Sequence, residues 1–149
     1  MTGQVQINAK TDFSLRDRFQ YYTVMGLSTL TLVVARSLHP AVGGLGTHEQ
    51  LGLPPCIFLR LTGIPCPSCG LTTSFAHFVR FELLASFTTQ PFGFVLCAAT
   101  LLSIPFFAIL LRRRVKWESL IGSRQAQLLT YAGVGLMLSG WIYKIVITR

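Results

Sequence analysis

Charged residues are scarce in this chain, and acidic residues are the scarcest of all. Only 12% of the 149 residues are charged, and just five are Asp or Glu. A soluble globular domain carries about 25% charged residues. Because 51% of the residues are hydrophobic and the mean hydropathy is +0.55, the missing charge is expected in segments buried in a membrane. The length permits a single domain, residues 1–149, which we predict to be an integral membrane domain.

The sequence also lacks the arrangements on which most enzymes depend. It contains no glycine-rich phosphate loop, no paired carboxylates and no serine–histidine arrangement, and its five acidic residues leave little for acid–base hydrolysis. A CxxCH motif is absent, so covalent haem attachment is not expected. These absences favour a protein without enzymatic activity, and they give no indication of a small-molecule substrate.

Basic residues are in excess, and their distribution bears on the partner. The net charge is +8, from 13 Lys and Arg against five Asp and Glu. The basic residues are bunched at the ends of apolar runs. This distribution suits anionic lipid headgroups and topology signals, whereas a nucleic-acid-binding protein spreads its basic residues over a surface. We therefore predict the lipid bilayer as a partner, and not nucleic acid.

The sequence contains three apolar runs that we predict to be membrane spans: residues 19–36, 92–111 and 128–147. A bilayer core of about 30 Å needs roughly 20 helical residues. The first run is short and is lengthened by snorkelling of its flanking arginines, and the third tolerates Lys144 for the same reason. A cleaved signal peptide is not expected, because a polar head of about twenty residues precedes the first run. Four aromatic residues lie near run ends, where such rings prefer the membrane interface: Tyr21, Tyr22, Trp141 and Tyr143.

The positions of the Lys and Arg residues predict the topology. They are concentrated in residues 1–18 and 112–127, whereas residues 37–91 contain only Arg60 and Arg80. Cytoplasmic segments carry the excess of Lys and Arg. We therefore expect a cytoplasmic N-terminal head, an extracytoplasmic segment at 37–91 and a basic cytoplasmic loop at 112–127. The predicted location is the bacterial cytoplasmic (inner) membrane, crossed by three helices.

The extracytoplasmic segment contains TGIPCPSCGLTTSF, residues 62–75, with a CxxC pair at Cys66 and Cys69 and another cysteine, Cys56, upstream. After Gly70 the pattern predicts an amphipathic helix of about four turns, which lies along the membrane surface or folds back onto the bundle. Cys69 would then lie at the helix N-terminus, where the helix dipole lowers a thiol pKa. The expected fold class is all-α, with three transmembrane helices plus this re-entrant or interfacial helix.

The cysteines belong to a larger pattern, which consists of Cys56, Thr62–Gly63, the run CPSCGLT from Cys66 to Thr72, and Gln90–Pro91. This pattern resembles a family of small bacterial membrane proteins catalogued as domain of unknown function 2752. The resemblance covers roughly Pro55 to Leu111 and implies a topology but no activity. The family has arginine where this chain has Thr73, and asparagine where it has Gln90. The motif residues beside the cysteines are Gly63, Pro65, Pro67, Gly70, Leu71 and Thr72.

The cysteines admit a structural and a redox interpretation. One disulfide among Cys56, Cys66 and Cys69 would staple a segment that lacks a large core of its own, with the third thiol free or paired with Cys97. Alternatively, the CxxC pair would perform thiol–disulfide exchange, with Cys56 as the resolving thiol. Cys97 by itself is interpreted as a packing residue, because free cysteine behaves as a small hydrophobe.

Metal binding is the third interpretation. Cys56, Cys66 and Cys69 would supply three of the four ligands of a closed zinc site, and His77 or His48 the fourth. His77 is eight residues beyond Cys69, which corresponds to about 12 Å along a helix. Zinc is therefore a candidate cofactor, with His77 as a distant ligand.

The functional hypothesis combines these observations with the small size of the chain. We predict a non-enzymatic accessory or assembly subunit that acts through other membrane proteins. The alternative is a membrane thiol-redox or metal-binding protein that uses Cys56, Cys66 and Cys69. Gly135 and Ser139, four residues apart in the third run, form a small-residue contact that we expect within the bundle, with a partner protein as the alternative.

Overall fold

The computed structural model describes residues 13–148, and within that range all regular structure is helical. The predicted all-α class is therefore confirmed there, while the first twelve residues of the predicted cytoplasmic head lie outside the described residues. Two short 3₁₀ turns, Thr47–Leu51 and Trp117–Ser119, lie in connections. The α-helices of the described range are α1 Leu15–Ser37, α2 Ile57–Thr62, α3 Leu71–Phe78, α4 Leu83–Thr89, α5 Pro91–Arg113 and α6 Ser123–Thr148.

Helix α1 begins at a capping box. The Ser14 hydroxyl accepts a 3.4 Å hydrogen bond from the amide of Arg16, and the Asp17 carboxylate accepts a 2.8 Å bond from the amide of Ser14. These bonds satisfy amides that have no acceptor within the helix, and the Asp17 charge complements the helix dipole. The predicted span 19–36 therefore lies inside a longer helix.

Helix α1 packs antiparallel to α5. Near the start of α1 the Tyr21 hydroxyl donates a 3.0 Å hydrogen bond to the carbonyl of Val115, just beyond α5. Tyr21 is 2% exposed, so its ring packs inside the bundle near the start of α1, and its predicted interfacial depth stays a prediction. Midway, the hydroxyls of Ser28 and Ser103 lie 2.9 Å apart. The buried core is formed by one residue each from α1, α3 and α5: Ala35, Phe75 and Cys97.

Helix α6 runs back along α5, so that its C-terminal end lies beside the start of α5. A Cβ on Gly140 would lie only 3.1 Å from Cβ of Phe92. The Tyr143 hydroxyl donates a 3.0 Å hydrogen bond to the carbonyl of Thr88 in α4. One end of the bundle therefore carries the segment at 38–90, and the opposite end carries the basic loop between α5 and α6.

Two helices of the described range are long and apolar enough to cross a membrane, Pro91–Arg113 and Ser123–Ile147. Only 11% of the most apolar window of each is buried. A core helix of a soluble protein buries a wide apolar stripe, so this exposure is compatible with a lipid environment. Helix α1 does not reach the same hydropathy, because Thr, Ser and Tyr interrupt its apolar residues. The predicted span at 19–36 therefore stays a prediction.

The helix predicted after Gly70 is shorter than four turns. Helix α3 ends at Phe78, and the chain turns at Phe81, whose φ of 63° is left-handed and incompatible with a continuous helix. Arg80 in this turn donates a 3.0 Å hydrogen bond to the carbonyl of Arg36 and so satisfies the end of α1. As a result α3 packs against α1, α4 and α5.

Candidate metal centre

Three cysteine thiols from two separate parts of the chain converge on one point. Cys56 is the residue immediately before α2, and Cys66 and Cys69 lie in the turn before α3. Their Sγ atoms all lie within 4.8 Å of one another, and those of Cys66 and Cys69 are 3.1 Å apart. In a tetrahedral site with Zn–S bonds of about 2.3 Å, the sulfur atoms lie about 3.8 Å apart. The thiols therefore fit a single zinc ion with small adjustments.

The backbone of the CPSC turn presents two of these thiols together. The amide of Cys69 donates a 2.9 Å hydrogen bond to the carbonyl of Cys66 and closes the turn. Gly70 follows with φ of 88°, a left-handed conformation that favours glycine, and it caps the start of α3. A Cβ at this position would lie 3.1 Å from the carbonyl oxygen of Gly44. Glycine therefore allows both the backbone conformation and the close approach of the 37–56 loop.

Residues at the start of α5 and in α6 form hydrogen bonds with the backbone of the CPSC segment. The Gln90 Nε2 group, immediately before α5, donates a 3.2 Å hydrogen bond to the carbonyl of Pro67. The Trp141 indole of α6 donates a 2.7 Å hydrogen bond to the carbonyl of Pro65. Both carbonyls belong to residues directly before or after Cys66. The position of the CPSC turn is therefore determined by the start of α5 and the end of α6.

Lys144 is the residue of this site that the sequence analysis missed. It was expected to snorkel to the interface, but it is 5% exposed, so that expectation is wrong. Its ammonium donates hydrogen bonds to the carbonyls of Thr89, at 3.1 Å, and Gly44, at 3.5 Å. These carbonyls replace water around the charge. A Cβ on Gly70 would lie 3.3 Å from Lys144 Nζ, and the ammonium interacts electrostatically with Cys69.

The local environment separates the pKa values of the paired thiols. Burial opposes ionisation of Cys66, but hydrogen bonds with Ser68, Cys69 and Cys56 outweigh burial and lower its pKa. Burial, followed by the hydrogen bond with Cys66, raises the pKa of Cys69 to about 12. The expected lowering of the Cys69 thiol pKa by the helix dipole is therefore wrong, because desolvation dominates. Cys66 is the first of this pair to form a thiolate.

A cavity of about 350 Å³ opens beside the three thiols. His48 and Glu49, from the first 3₁₀ turn, line this cavity together with Arg60 from α2. His77 does not line it, because the ring pairs through Nδ1 with the carboxylate of Glu82 at the far end of α3. Of the two histidines suggested by the sequence as ligands, only His48 therefore shares a cavity with the thiols.

Every cysteine of the chain lies among the described residues, and there the thiols are free and form no disulfide. All four cysteines are free, and the 3.1 Å between the Sγ atoms of Cys66 and Cys69 exceeds a disulfide bond of about 2.05 Å. Cys97 is fully buried in the core between α1, α3 and α5, which confirms its interpretation as a packing residue. The predicted stapling disulfide is therefore not formed in this structure.

The cysteine segment also matches a known sequence family. Residues 56–110 match DUF2752, a protein of unknown function. The match confirms the family resemblance inferred from the sequence, and it contains all three clustered thiols. No curated protein and no solved structure matches the chain.

The two positions at which this chain departs from the DUF2752 pattern are both buried beside the site. The Thr73 hydroxyl lies 2.8 Å from that of Thr47, which joins α3 to the 3₁₀ turn that carries His48. Gln90 is 0% exposed and supports Pro67, while its Oε1 atom is buried without a hydrogen-bond partner among the described residues. Neither side chain is charged, and both connect the site to neighbouring elements.

The remaining DUF2752 motif residues have structural positions. Gly63 ends α2 with φ of 69° and so redirects the chain toward the CPSC turn. Leu71 packs against the buried core at the start of α3. Thr72 lines the cavity beside the thiols. The motif therefore combines the clustered cysteines with the turns that bring them together.

Proposed function

We propose that this protein is a membrane protein that binds a soft divalent metal ion, such as Zn²⁺, through Cys56, Cys66 and Cys69. One observation carries the proposal: sulfur atoms from two separate segments converge within 4.8 Å. Thiolates are preferred ligands of zinc, and a site with three protein ligands keeps a fourth position for another group. His48 lines the cavity beside the three thiols and would supply that fourth ligand.

Metal analysis of the full-length protein in detergent, purified under reducing conditions, tests this proposal. We expect one zinc ion per chain in the wild type. Cys56→Ser, Cys66→Ser and Cys69→Ser each lose stoichiometric zinc, because two thiolates do not complete the site. Cys97→Ser is the matched control, since Cys97 lies in the core outside the cluster. A wild-type protein that takes up no zinc from solution would contradict the proposal.

A second function, thiol–disulfide exchange, is supported by the 3.1 Å separation of the Cys66 and Cys69 sulfur atoms. In that reaction the Cys66 thiolate attacks a substrate disulfide and releases one substrate thiolate. Cys69 then loses its proton and displaces the second, so that the substrate gains two electrons and Cys66–Cys69 becomes a disulfide. Redox titration in glutathione buffers separates the two functions. Reversible formation of this disulfide supports exchange, whereas thiols that resist alkylation until a chelator is added support the metal.

The orientation in the membrane is part of the proposal. We place the cysteine end of the bundle at the extracytoplasmic face of the bacterial inner membrane and the N-terminus in the cytoplasm, with α1 as the third span. The opposite end of the bundle carries the basic loop, as the positive-inside rule requires of a cytoplasmic end. The positive charge at this end comes from Arg112 and Arg113, the last two residues of α5, and from Arg114 and Lys116 in the loop.

Labelling of intact cells with a membrane-impermeant thiol reagent tests the orientation. After reduction and chelation, we expect Cys66 to be labelled in the wild type. Ser119→Cys, in a chain with serine at the three clustered positions, is the control, because position 119 lies in the basic loop and is labelled only after permeabilisation. The reverse pattern would invert the topology.

The predicted role as a non-enzymatic accessory or assembly subunit stays a prediction, and one feature of α6 supports it. A Cβ on Gly133 or Gly135 would meet no atom within 4 Å, so these residues do not pack inside the bundle. Small residues on an exposed span face favour close approach of another helix. Crosslinking in native membranes tests this role. Gly135→Leu should abolish a crosslinked partner if that face is used, and a wild-type chain that yields no crosslinked protein would contradict it.

A further inference from the structure

Two short helices at the cysteine end of the bundle, α2 and α4, expose apolar side chains. Leu61 of α2 is 81% exposed and Leu84 of α4 is 78% exposed. None of the six residues of α2, all of them described, is buried. We call the exposed apolar residues of these helices and of the turn before α4 the apolar collar, which consists of Ile57, Phe58, Leu61, Phe81, Leu84 and Phe87.

Helix α2 needs a cover that the described chain does not supply. It has six residues, Ile57–Thr62, whereas an isolated helix shorter than about 12 residues is marginal in water. Short helices in proteins are stabilised when an apolar face packs against something else. Leu59 lines the thiol cavity, but Ile57, Phe58 and Leu61 are exposed. The exposed face of α2 is therefore expected to be covered in the native environment.

Hydrogen bonds to α6 fix the level of the collar along the bundle. The Trp141 indole binds the carbonyl of Pro65, three residues beyond the end of α2. The Tyr143 hydroxyl binds the carbonyl of Thr88, within α4. The apolar span of α6 ends at Ile147, so both rings lie in its last two turns, within about 9 Å of its end. The collar therefore lies level with the end of a span, where hydrocarbon meets headgroups.

The charge pattern of this segment suits a lipid surface. Between Glu49 and Arg80 the sequence contains one Lys, Arg, Asp or Glu residue, Arg60, which is exposed in the last turn of α2. An interfacial helix combines an apolar face with a cation that reaches the anionic headgroups. Helix α4 leads directly into α5 at Pro91, so its part of the collar is continuous with the exposed apolar surface of that span.

We propose that α2 and α4 are interfacial helices that dock on the lipid bilayer through the apolar collar, with lipid phosphates as the partners of Arg60. This inference rests on the membrane location proposed above and not on the metal. Helix α3, which the sequence also allowed at the membrane surface, folds back onto the bundle with four of its eight residues buried. Cys56 directly precedes α2, so the docked helix places the thiol cluster at the boundary between membrane and water.

Photocrosslinking of the full-length protein in native membranes tests the inference. A benzoylphenylalanine side chain replaces Leu61 or Leu84, and its adducts are identified by mass spectrometry. We expect lipid adducts at both positions. Leu102 is the positive control, because it is exposed in the middle of α5. Glu118 is the aqueous control, because it is an exposed acid in the 3₁₀ turn at the opposite end, and it should give no lipid adduct.

The adducts distinguish failure of the inference from failure of the membrane location. Lipid adducts at position 102 that are missing from either collar position would overturn the inference alone. Protein adducts in place of lipid at the collar would also overturn it, and they would assign this surface to a protein partner. No lipid adduct at position 102 would contradict the membrane location itself. The metal-binding proposal is tested separately, since none of these results depends on zinc.

Amide hydrogen exchange of the protein in lipid nanodiscs measures what docking does for α2. We expect slow exchange over residues 57–62 in the wild type and loss of that protection in Leu61→Glu, because a carboxylate does not enter the apolar side of the interface. Leu61→Met is the matched control, since it keeps an apolar side chain, and it should retain the protection. Leu61 is exposed, so neither change disturbs a packed core. Wild-type α2 that exchanges like an unstructured peptide, or unchanged protection in Leu61→Glu, would overturn the inference.

Discussion

The indole Nε1 of Trp141 donates a 2.7 Å hydrogen bond to the carbonyl oxygen of Pro65, 76 residues earlier in the chain. Pro65 directly precedes Cys66, so α6 binds the backbone immediately before the thiol turn. The sequence places Trp141 near the end of a span, where an aromatic ring is expected at the interface. The structure adds a specific acceptor to that position, and the bond connects α6 with the candidate metal centre.

Replacement of Trp141 by phenylalanine tests this connection. The variant keeps an aromatic ring and loses the donor, so we expect destabilisation of about 1 kcal/mol, the usual net contribution of one hydrogen bond. Thermal unfolding in detergent measures the effect. Trp117→Phe is the control, because Trp117 is 40% exposed at the other end of the bundle. Equal unfolding temperatures for wild type and Trp141→Phe would show that the bond does not contribute.

Gly70→Ala is expected to disrupt both the thiol turn and the buried lysine. Alanine at a left-handed φ of 88° is strained, on the order of 1–3 kcal/mol. Its Cβ would also lie 3.1 Å from the Gly44 carbonyl oxygen and 3.3 Å from Lys144 Nζ. Zinc affinity and unfolding temperature should both fall.

Gly63→Ala is the matched control for Gly70→Ala. Gly63 has a left-handed φ of 69°, but a Cβ there meets no atom within 4 Å. The control therefore carries the backbone strain without the collision. If the two variants lose the same stability and the same zinc affinity, the contacts around Gly70 are unimportant and strain alone explains the effect.

The sequence predicted the elements of the fold better than their contacts. Hydrophobic runs identify α5 and α6 directly, because a continuous apolar stretch is a local property. The break between α3 and α4 is not local: Arg80 leaves the helical path to satisfy a carbonyl of Arg36, 44 residues away. Single-sequence periodicity carries no information about such a partner, so the predicted helix continued past its true end.

The sequence predicts only part of the candidate site, because some contacts of the site are also not local. The CxxC spacing brings Cys66 and Cys69 together locally, and their proximity to Cys56 depends on the turn at Gly63 that the motif itself contains. Lys144 reaches the site only through the antiparallel packing of α6 against α5. In the sequence it is a cation near the end of an apolar run, for which snorkelling is the ordinary explanation.

His48 is expected to influence the fourth coordination position of the metal. It lines the cavity beside the thiols, whereas His77 is paired with Glu82. X-ray absorption of the zinc-bound protein should show three sulfur atoms and one lighter ligand, with the imidazole signature lost in His48→Ala. His77→Ala should leave the spectrum unchanged. A spectrum unaffected by His48→Ala would assign the fourth position to water or another group.

Alkylation of the metal-free protein should distinguish Cys66 from Cys69. Thiolates react and thiols do not, so a lowered pKa makes Cys66 reactive at a lower pH than an ordinary cysteine. Because burial raises the pKa of Cys69 to about 12, Cys69 stays protonated and slow between about pH 7 and 9. Peptide mass spectrometry after a short iodoacetamide pulse measures both rates across pH.

Removal of the Ser68 hydroxyl in Ser68→Ala should shift the Cys66 profile to higher pH, because that hydroxyl stabilises the thiolate. In Cys66→Ser, Cys69 should remain slow, since burial is the larger cause of its raised pKa. Faster modification of Cys69 than of Cys66 in the wild type would contradict this assignment and identify Cys69 as the nucleophile of the pair.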